Sequence, residues 1–561
     1  RTLHPTMAQI TQEELGNGLP LYRVGLPGTR ATTILVAFDA GARTERPEEN
    51  GAAHFLEHLV FKGGQLYDDY RKVNETAERM GASLNAYTSH DLVAFHITCR
   101  AERAMEALDL LTDFVGRPRI HPAELDRERG VVIQEINRAH DQPSTVAEHL
   151  IDRAAFGEHP LGRPVLGPEE HLRTFTREAI VAFRERRWAG ARGGAFIVGN
   201  LDHVEANGRT RELLERFPAL PAPEPYEPAP PLRAEVLVEE RDTNQSHLRM
   251  MYAPQVDVRD PEQRAALTIY ATLLGGSMGS RLFDEIREQR GLCYSVWAVD
   301  HSFADAPILQ LGSGLESAKC VEAYTRMREI VAELHADGPT EEEVARARAY
   351  AAGRRVLAFE NTNAVARYAA NQRIVFGEDV DPDRAIAALD AVTHAQVREV
   401  AAAVDPERLA VACVGPHEGS DFASRAAGAA PPPRPADPAG TAVRAVAGWS
   451  GWQSTAGSSN AISHAWPTGG RSTAPGWAAP RSTTSGGWAR SASAARSSSS
   501  CSCRRPSPAS RGWSASTSPA RCGTSRRWAI RPTSTATRRR SWSASARRSS
   551  GCGGCSRPGS S

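Results

Sequence analysis

Residues 50–64 read Asn-Gly-Ala-Ala-His-Phe-Leu-Glu-His-Leu-Val-Phe-Lys-Gly-Gly, and they place His54, Glu57 and His58 in the order H-x-x-E-H. In a helix, His54 and His58 lie one turn apart on one face, so both imidazoles can hold one zinc ion. Glu57 lies near the same face and can polarise a water at an open metal position. Because the other side chains are small or apolar, the helix is predicted to be buried almost all round.

Two interpretations of these histidines are open on this stretch alone. An H-x-x-E-H match arises by chance in about one chain in a hundred of this length, and two histidines on a surface helix are the simpler explanation. The apolar neighbours argue against a surface, because a buried helix with three polar groups on one side needs a partner for them.

Composition limits the function classes. The chain has 561 residues, enough for two to four domains with sizeable cores. Its formal charge of +1 hides an asymmetry: residues 438–561 hold 18 Arg and no acidic residue, so 49 basic and 66 acidic residues remain, or −17, for residues 1–437. An acidic body argues against nucleic acid as the main partner and favours basic peptides.

Cysteines and hydropathy bear on the compartment. Four cysteines in the body show no C-x-x-C spacing and are interpreted as small buried hydrophobes rather than a disulfide frame or zinc ribbon: Cys99, Cys293, Cys320 and Cys413. Residues 1–14 lack the apolar core of a signal peptide, and no run of 18 apolar residues occurs. We therefore expect a cytoplasmic protein with no membrane partner.

Strands and helices are predicted throughout the first 220 residues. Apolar periodicity and turn residues indicate strands at 19–24 and 32–38, a hairpin at 82–88 and 92–98, and helices at 68–80 and 101–115. This mixture predicts an α+β domain.

A further helix begins at Pro122, since proline is tolerated in the first helical turn. Glu128 and Glu135 on this helix are seven residues apart, close to two turns, and so share a face. A charged face is usually a solvated one. The alternative is that one of these carboxylates is the third zinc ligand, because a catalytic zinc needs three protein ligands and one open position.

The second half repeats the pattern of the first. Thr176 and Thr393 open matching helical patterns 217 residues apart, and the Val-Gly pairs at 198–199 and 414–415 are 216 apart. This predicts an internal duplication. A shift of 216 places Tyr270 and Leu274 where the first half has histidines, so only the first half is expected to hold metal.

The predicted organisation has four segments. They are a zinc-binding domain at 10–220, a stiff Pro-rich linker at 221–232, a second domain at 233–418 and a disordered tail at 419–561. Eight of the ten tryptophans lie beyond residue 437, without helical or strand period. We interpret this tail as an out-of-frame translation; a basic Arg/Trp tail that binds nucleic acid is the alternative.

Four segments together resemble the pitrilysin family of zinc peptidases, in the branch of mitochondrial processing peptidase and its bacterial relatives. They are Asn50-Gly-x-x-His54-Phe-Leu-Glu57-His58-x-x-Phe61-Lys-Gly63, Leu84-Asn-Ala-Tyr-Thr88, Glu128-Arg-Gly-Val-Val-Ile-Gln-Glu135-Ile, and Ser280-Arg-Leu-Phe-x-Glu-Ile-Arg287-x-x-Arg-Gly-Leu-x-Tyr294-Ser. The family's third ligand is a glutamate 77 residues after the second histidine, which is Glu135 here.

The resemblance implies a role for each of these residues. One zinc ion per chain is held by His54, His58 and Glu135, and Glu57 is the general base for the metal-bound water. Glu128 supports the site, and the strand at Asn85 and Ala86 pairs with an extended substrate. Arg287 and Tyr294 would hold the carbonyl oxygen as it becomes an oxyanion.

The resemblance also implies an assembly. Each half is an α+β layer, and four such units close into a clamshell around unfolded or presequence-like peptides. Because this chain supplies two units, a homodimer is expected, with a heterodimer with a paralogue as the alternative. A non-catalytic partner subunit is the competing functional hypothesis.

Overall fold

The fold is described from a computed structural model for residues 8–204 and 208–423. The predicted tail beyond residue 423 lies outside these residues. The first sheet contains the strands β1 to β6, which are Gln9–Glu14, Pro20–Gly25, Ala31–Phe38, Ser83–Thr88, Val93–Arg100 and Gly193–Gly199. Their order across the sheet is β1-β2-β6-β3-β5-β4.

The second sheet contains five strands. These strands, β7 to β11, are Val236–Glu240, Gln245–Tyr252, Cys293–Asp300, Leu309–Glu316 and Leu409–Gly415. Their order is β7-β11-β8-β10-β9, which repeats the order β2-β6-β3-β5-β4 of the first sheet. In both sheets the first of these pairs is parallel and the others are antiparallel. The predicted α+β fold of two equivalent halves is therefore confirmed.

Helices cover both sheets. Those of the first half, α1 to α8, are Ala52–Val60, Tyr70–Arg79, Ala104–Gly116, Pro122–His140, Pro143–Phe156, Glu169–Thr174, Arg177–Arg187 and Arg209–Leu214. Those of the second half, α9 to α14, are Pro261–Ala271, Cys320–Asp337, Glu341–Phe359, Thr362–Ala370, Pro382–Ala391 and His394–Ala403. Short π-helical segments follow at Thr272–Gly276, Phe283–Gln289 and Asn371–Val375. Among the described residues, no helix is long and apolar enough to cross a membrane.

The two halves exchange one helix each. Helix α12 of the second half packs on the first sheet, where Val365 and Ala369 share a core with Leu35 and Phe196. Helix α5 of the first half packs on the second sheet, where its apolar face contacts strands β8 and β11. These helices are near the 216-residue offset of the duplication, so the exchange is reciprocal. Each half thus covers an apolar sheet face of the other.

Buried charges also join the halves. The Arg43 side chain has no exposed surface and forms ion pairs with Asp91 of the first half at 3.0 Å and Asp305 of the second at 2.9 Å. Its guanidinium stacks on Tyr226 of the linker, 4.2 Å from the ring centroid. The Pro-rich linker, residues 221–232, has no helix or strand and is held against the body by such contacts.

The second half extends past its predicted end at residue 418. A 3-10 helix at Gly419–Phe422 buries Phe422 in the core of the second half. Tyr324 on α10 donates a hydrogen bond from its hydroxyl to the Phe422 carbonyl at 2.8 Å. The composition shift of the tail set the prediction too early, because one buried aromatic is enough to anchor this turn.

Candidate metal centre

Helix α1 carries the H-x-x-E-H motif inside the core of the first half, and all nine of its residues are buried. Gly51 precedes it with a φ of +100°, and a Cβ at this position would lie 2.9 Å from the Leu166 carbonyl oxygen, so glycine is required. The Glu45 carboxylate accepts hydrogen bonds from the backbone N–H groups of Gly51 and Ala53 at 3.0 and 2.7 Å and from Asn50 Nδ2 at 3.1 Å. Glu45 therefore caps the N-terminus of the helix.

Three potential metal ligands converge from two helices. Glu135 on α4 places its Oε2 atom 3.7 Å from His54 Nε2 and 3.5 Å from His58 Nε2. One ligand atom from each of the three residues lies within 4.8 Å of the others. The three side chains thus form one cluster, as the fourth-turn relationship on α1 and the long helix α4 allow.

The donor set fits a zinc ion. Two ligands held 2.0–2.1 Å from one tetrahedral ion lie about 3.4 Å apart, close to the separations of 3.5 and 3.7 Å. Two imidazole nitrogens and one carboxylate oxygen are typical of a catalytic zinc site with one open position. The residues present therefore suit the metal without rearrangement of the backbone.

Carboxylates dominate the electrostatics of this cluster. Burial lowers the pKa of His58, but contacts with Glu128 and Glu135 outweigh it and raise that pKa to about 9. Glu128 Oε2 lies 3.4 Å from His58 Nδ1, and its Oε1 lies 2.5 Å from Lys62 Nζ. Burial would raise the pKa of Glu128, but His58 and Lys62 lower it below the ordinary value. A carboxylate that orients a ligand imidazole in this way is a common support for metal sites.

Glu57 is buried and is held by the edge strand of the sheet. The hydroxyl of Thr88, the last residue of β4, donates a hydrogen bond of 2.6 Å to Glu57 Oε2. Glu57 therefore has a defined orientation beside the two histidines of its own helix. A buried, oriented carboxylate next to a metal cluster is suited to accept and return a proton.

Asn85 and Ala86 lie on β4, which pairs with β5 on one side and ends the sheet on the other. Asn85 Oδ1 accepts a hydrogen bond from the Ala86 N–H at 2.9 Å. An edge strand can pair with an added extended chain. The position of both residues is therefore compatible with the predicted peptide contact.

Arg287 and Tyr294 lie in the second half, away from the helices that carry the metal ligands in sequence. The Arg287 guanidinium lies 5.3 Å from the centroid of the Tyr294 ring and 4.6 Å from that of Phe283. Tyr294 is on β9, an edge strand, and is 69% exposed. The two residues thus form a stacked pair with an aromatic face open to solvent.

Three supporting residues were not assigned from the sequence. Thr88 and Lys62 lie within the quoted motifs, but their contacts with Glu57 and Glu128 join segments 26 or more residues apart. Glu45 precedes α1 by seven residues and, as an acidic residue ahead of a helix, carried the only local signal of a capping role.

Comparison with known families decides the relationship. The pattern described as "Insulinase (Peptidase family M16)" matches residues 25–169, and that described as "Peptidase M16 inactive domain" matches residues 174–350. The chain is 30% identical over 414 residues to an uncharacterized zinc protease of Streptomyces coelicolor, covering 72% of this chain and 90% of that one. The chain belongs to peptidase family M16. The second M16 pattern falls on the half that lacks the metal cluster.

Other M16 relatives agree in extent and fold. The uncharacterized zinc protease YmxG of Bacillus subtilis is 30% identical over 405 residues, covering 71% of this chain and 97% of its own. Two solved structures share the fold: a peptidase M16 inactive domain from Pseudomonas fluorescens (TM-score 0.67, 18% identity, 73% of this chain and 98% of that chain) and a protease from Helicobacter pylori (0.64, 19%, 73% and 100%).

Proposed function

We propose that this M16 protein is a zinc metalloendopeptidase that cleaves unfolded or presequence-like peptides, in the branch that contains mitochondrial processing peptidase and its bacterial relatives. The observation that carries the proposal is the convergence of His54, His58 and Glu135 within 4.8 Å, with the Glu57 carboxylate on the same helix. Zinc bound to these residues would supply Lewis acidity toward a peptide carbonyl and an attacking water.

The chain's own groups account for proton transfer. Glu57 accepts the proton of the attacking water and returns it to the amine of the leaving peptide, as a buried carboxylate near the metal can. Thr88 holds one Glu57 oxygen by its hydrogen bond of 2.6 Å, which leaves the other for this transfer. Glu128 fixes the His58 ring from behind.

The substrate would bind as an added strand along β4. Asn85 and Ala86 then offer backbone groups to an extended peptide, while a folded protein could not supply a free strand. The acidic body favours basic peptides. We place the reaction in the cytoplasm and do not assign nucleic acid or membrane as a partner.

A second copy of the chain would complete the site. Arg287 and Tyr294 belong to the half without metal ligands, and the exposed Tyr294 face is available to another molecule. In a homodimer, this pair from one copy would stabilise the oxyanion formed at the zinc cluster of the other. A heterodimer with a paralogue would place the same chemistry in a mixed pair.

Peptide hydrolysis by the Glu57→Gln variant tests the catalytic assignment. The substitution keeps the shape of the side chain, so we expect zinc content to stay at the wild-type level while kcat falls by about 10²–10⁴. Glu124→Gln on α4, a residue paired with Arg127 on the surface, is the matched control and should keep wild-type activity. Wild-type kcat in Glu57→Gln would contradict the proposal.

A non-catalytic partner subunit is the second candidate function. It predicts that wild-type protein with a full complement of zinc does not cleave a broad library of unfolded peptides, alone or at high concentration. Activity that appears in wild type and disappears in Glu57→Gln would exclude it. The same library reports the cleavage preference.

Mixing two inactive variants tests the shared site. Glu57→Gln and Arg287→Ala chains should each be inactive as homodimers. In a mixed dimer, the zinc cluster of the Arg287→Ala chain meets Arg287 of the other chain, so activity should return on mixing. If each active site is built within one chain, mixing restores nothing.

A further inference from the structure

A second group of metal-binding side chains lies in the half that has no H-x-x-E-H motif. One ligand atom from each of Cys320, Cys413 and His417 lies within 4.8 Å of the other two. Both thiols are fully buried, and the His417 side chain is 7% exposed. The sequence separates these cysteines by 93 residues, which is why they were interpreted as unrelated small hydrophobes.

The fold brings the three residues to one end of the second sheet. Cys413 lies on β11 and faces the helix-covered core, and His417 follows shortly after the strand. Cys320 is the first residue of α10, where the helix dipole favours a thiolate. The cluster therefore joins the start of a long helix to the end of a central strand.

A chain of hydroxyl groups determines the tautomer of His417. The Ser317 hydroxyl donates to the Thr243 carbonyl at 2.9 Å, and the Ser246 hydroxyl donates to Ser317 at 3.0 Å. Each hydroxyl has one proton, so the contact of 2.7 Å between Ser246 Oγ and His417 Nε2 must use the proton on Nε2. In the neutral ring, Nδ1 is then an unprotonated lone pair.

This lone pair faces a second acceptor. Asp421 Oδ2 lies 3.8 Å from His417 Nδ1, with no proton available between them in the neutral ring. The separation resembles the 3.7 Å between His54 Nε2 and Glu135 Oε2 in the candidate metal centre. Two facing acceptors are unfavourable by themselves, and a cation beside them removes the conflict.

We propose that Cys320, Cys413 and His417 form a second, structural metal site for zinc, separate from the peptidase centre. Two thiolates and one imidazole are ligands typical of structural zinc. Two thiolates also neutralise a divalent ion, which lowers the cost of placing it among apolar side chains. Asp421 is placed to complete the shell from the solvent side. The site ties α10 to β11 and would stabilise the half that lacks catalytic ligands.

Cobalt substitution of the full chain tests this site, because the peptidase centre offers no sulfur ligand. We expect thiolate-to-cobalt charge-transfer absorption in wild type, its persistence in the His54→Ala/His58→Ala variant, and its loss in Cys320→Ser/Cys413→Ser. Cys99→Ser, which changes a buried cysteine of the first half, is the matched control and should keep the band. Cysteines beyond residue 423 are present in every variant, so the differences report on the cluster.

A milder variant guards against misfolding. His417→Gln retains an N–H that can donate to Ser246, so the fold should persist while cobalt affinity falls by at least about tenfold. A folded wild-type chain without the charge-transfer band, or a band that survives in Cys320→Ser/Cys413→Ser, would overturn the proposal. So would an intact mass showing a disulfide between the two cysteines in native protein. None of these readouts depends on peptidase activity.

Discussion

The hydroxyl of Thr88 lies 2.6 Å from the Glu57 carboxylate, and this contact joins the edge strand β4 to the helix that carries the H-x-x-E-H motif. The strand proposed to bind substrate and the proposed general base are thus one hydrogen-bonded unit. A peptide that pairs with β4 would be placed in register with the carboxylate. The relationship explains why a threonine at the end of that strand matters for catalysis.

Replacing Thr88 by valine removes the hydroxyl but keeps the shape. We expect kcat to fall by about 10- to 100-fold with KM little changed, since a hydrogen bond to a charged group contributes about 1.5–3 kcal/mol. Thr88→Ser retains the donor and should recover most of the activity. Steady-state kinetics on one peptide measures all three proteins; equal loss in the serine and valine variants would contradict a hydrogen-bonding role.

Glu45 is expected to hold helix α1 in place. Burial raises the pKa of Glu45 to about 8, against the hydrogen bonds from Ala53, Asn50 and Gly51 that lower it. Glu45→Ala leaves those donors without an acceptor, so the free energy of unfolding should fall by about 1–3 kcal/mol and zinc affinity should decrease. Chemical unfolding and zinc titration measure both. Exposed Glu48→Ala is the control, and equal effects in the two variants would refute the capping role.

The exchange of α5 and α12 predicts that the first half does not fold alone. A fragment ending at residue 232 lacks α12, so the apolar face formed by residues such as Leu35 and Phe196 would be exposed to water. We expect no cooperative thermal unfolding and no slow amide exchange in this fragment, in contrast to the full chain. A fragment with a sharp transition and protected amides would show that the halves are independent domains.

Acid should weaken the cap of helix α11 through Glu343. Burial would raise the pKa of Glu343, but hydrogen bonds from Arg281 and Thr340 lower it to about 2 from 4.5. A depressed pKa adds stability above the unfolded-state value, and this stability is lost as pH falls from about 4.5 to 2. Glu343→Gln should therefore lower the free energy of unfolding by about 2 kcal/mol at neutral pH.

Unfolding experiments at several pH values check this prediction. The difference between wild type and Glu343→Gln should shrink steadily below about pH 4.5. Exposed Glu342→Gln, on the same helical turn, should show little difference at any pH. A gap that stays constant down to about pH 2 would mean that the Glu343 charge is not responsible.

Much of the fold was predictable because its signals are local. Strand alternation, the proline at the start of α4 and the 216-residue repeat all depend on neighbours in sequence, and the two sheets follow them closely. The helix exchange was not predictable, because nothing in the apolar faces of α5 and α12 states which sheet they cover. The end of the second half was also missed, since Phe422 is an isolated aromatic next to a change in composition.

The candidate site divides in the same way. The sequence by itself determined that His54, Glu57 and His58 share one helical face, because helix geometry alone sets that relationship, and the spacing to Glu135 identified the third ligand through family resemblance. Only the tertiary structure decided that Thr88 orients Glu57, that Glu45 caps the helix, and that Cys320 meets Cys413 and His417. These contacts join segments separated by 7 to 93 residues, and only the packing of sheets and helices brings such side chains within hydrogen-bonding or metal-binding distance.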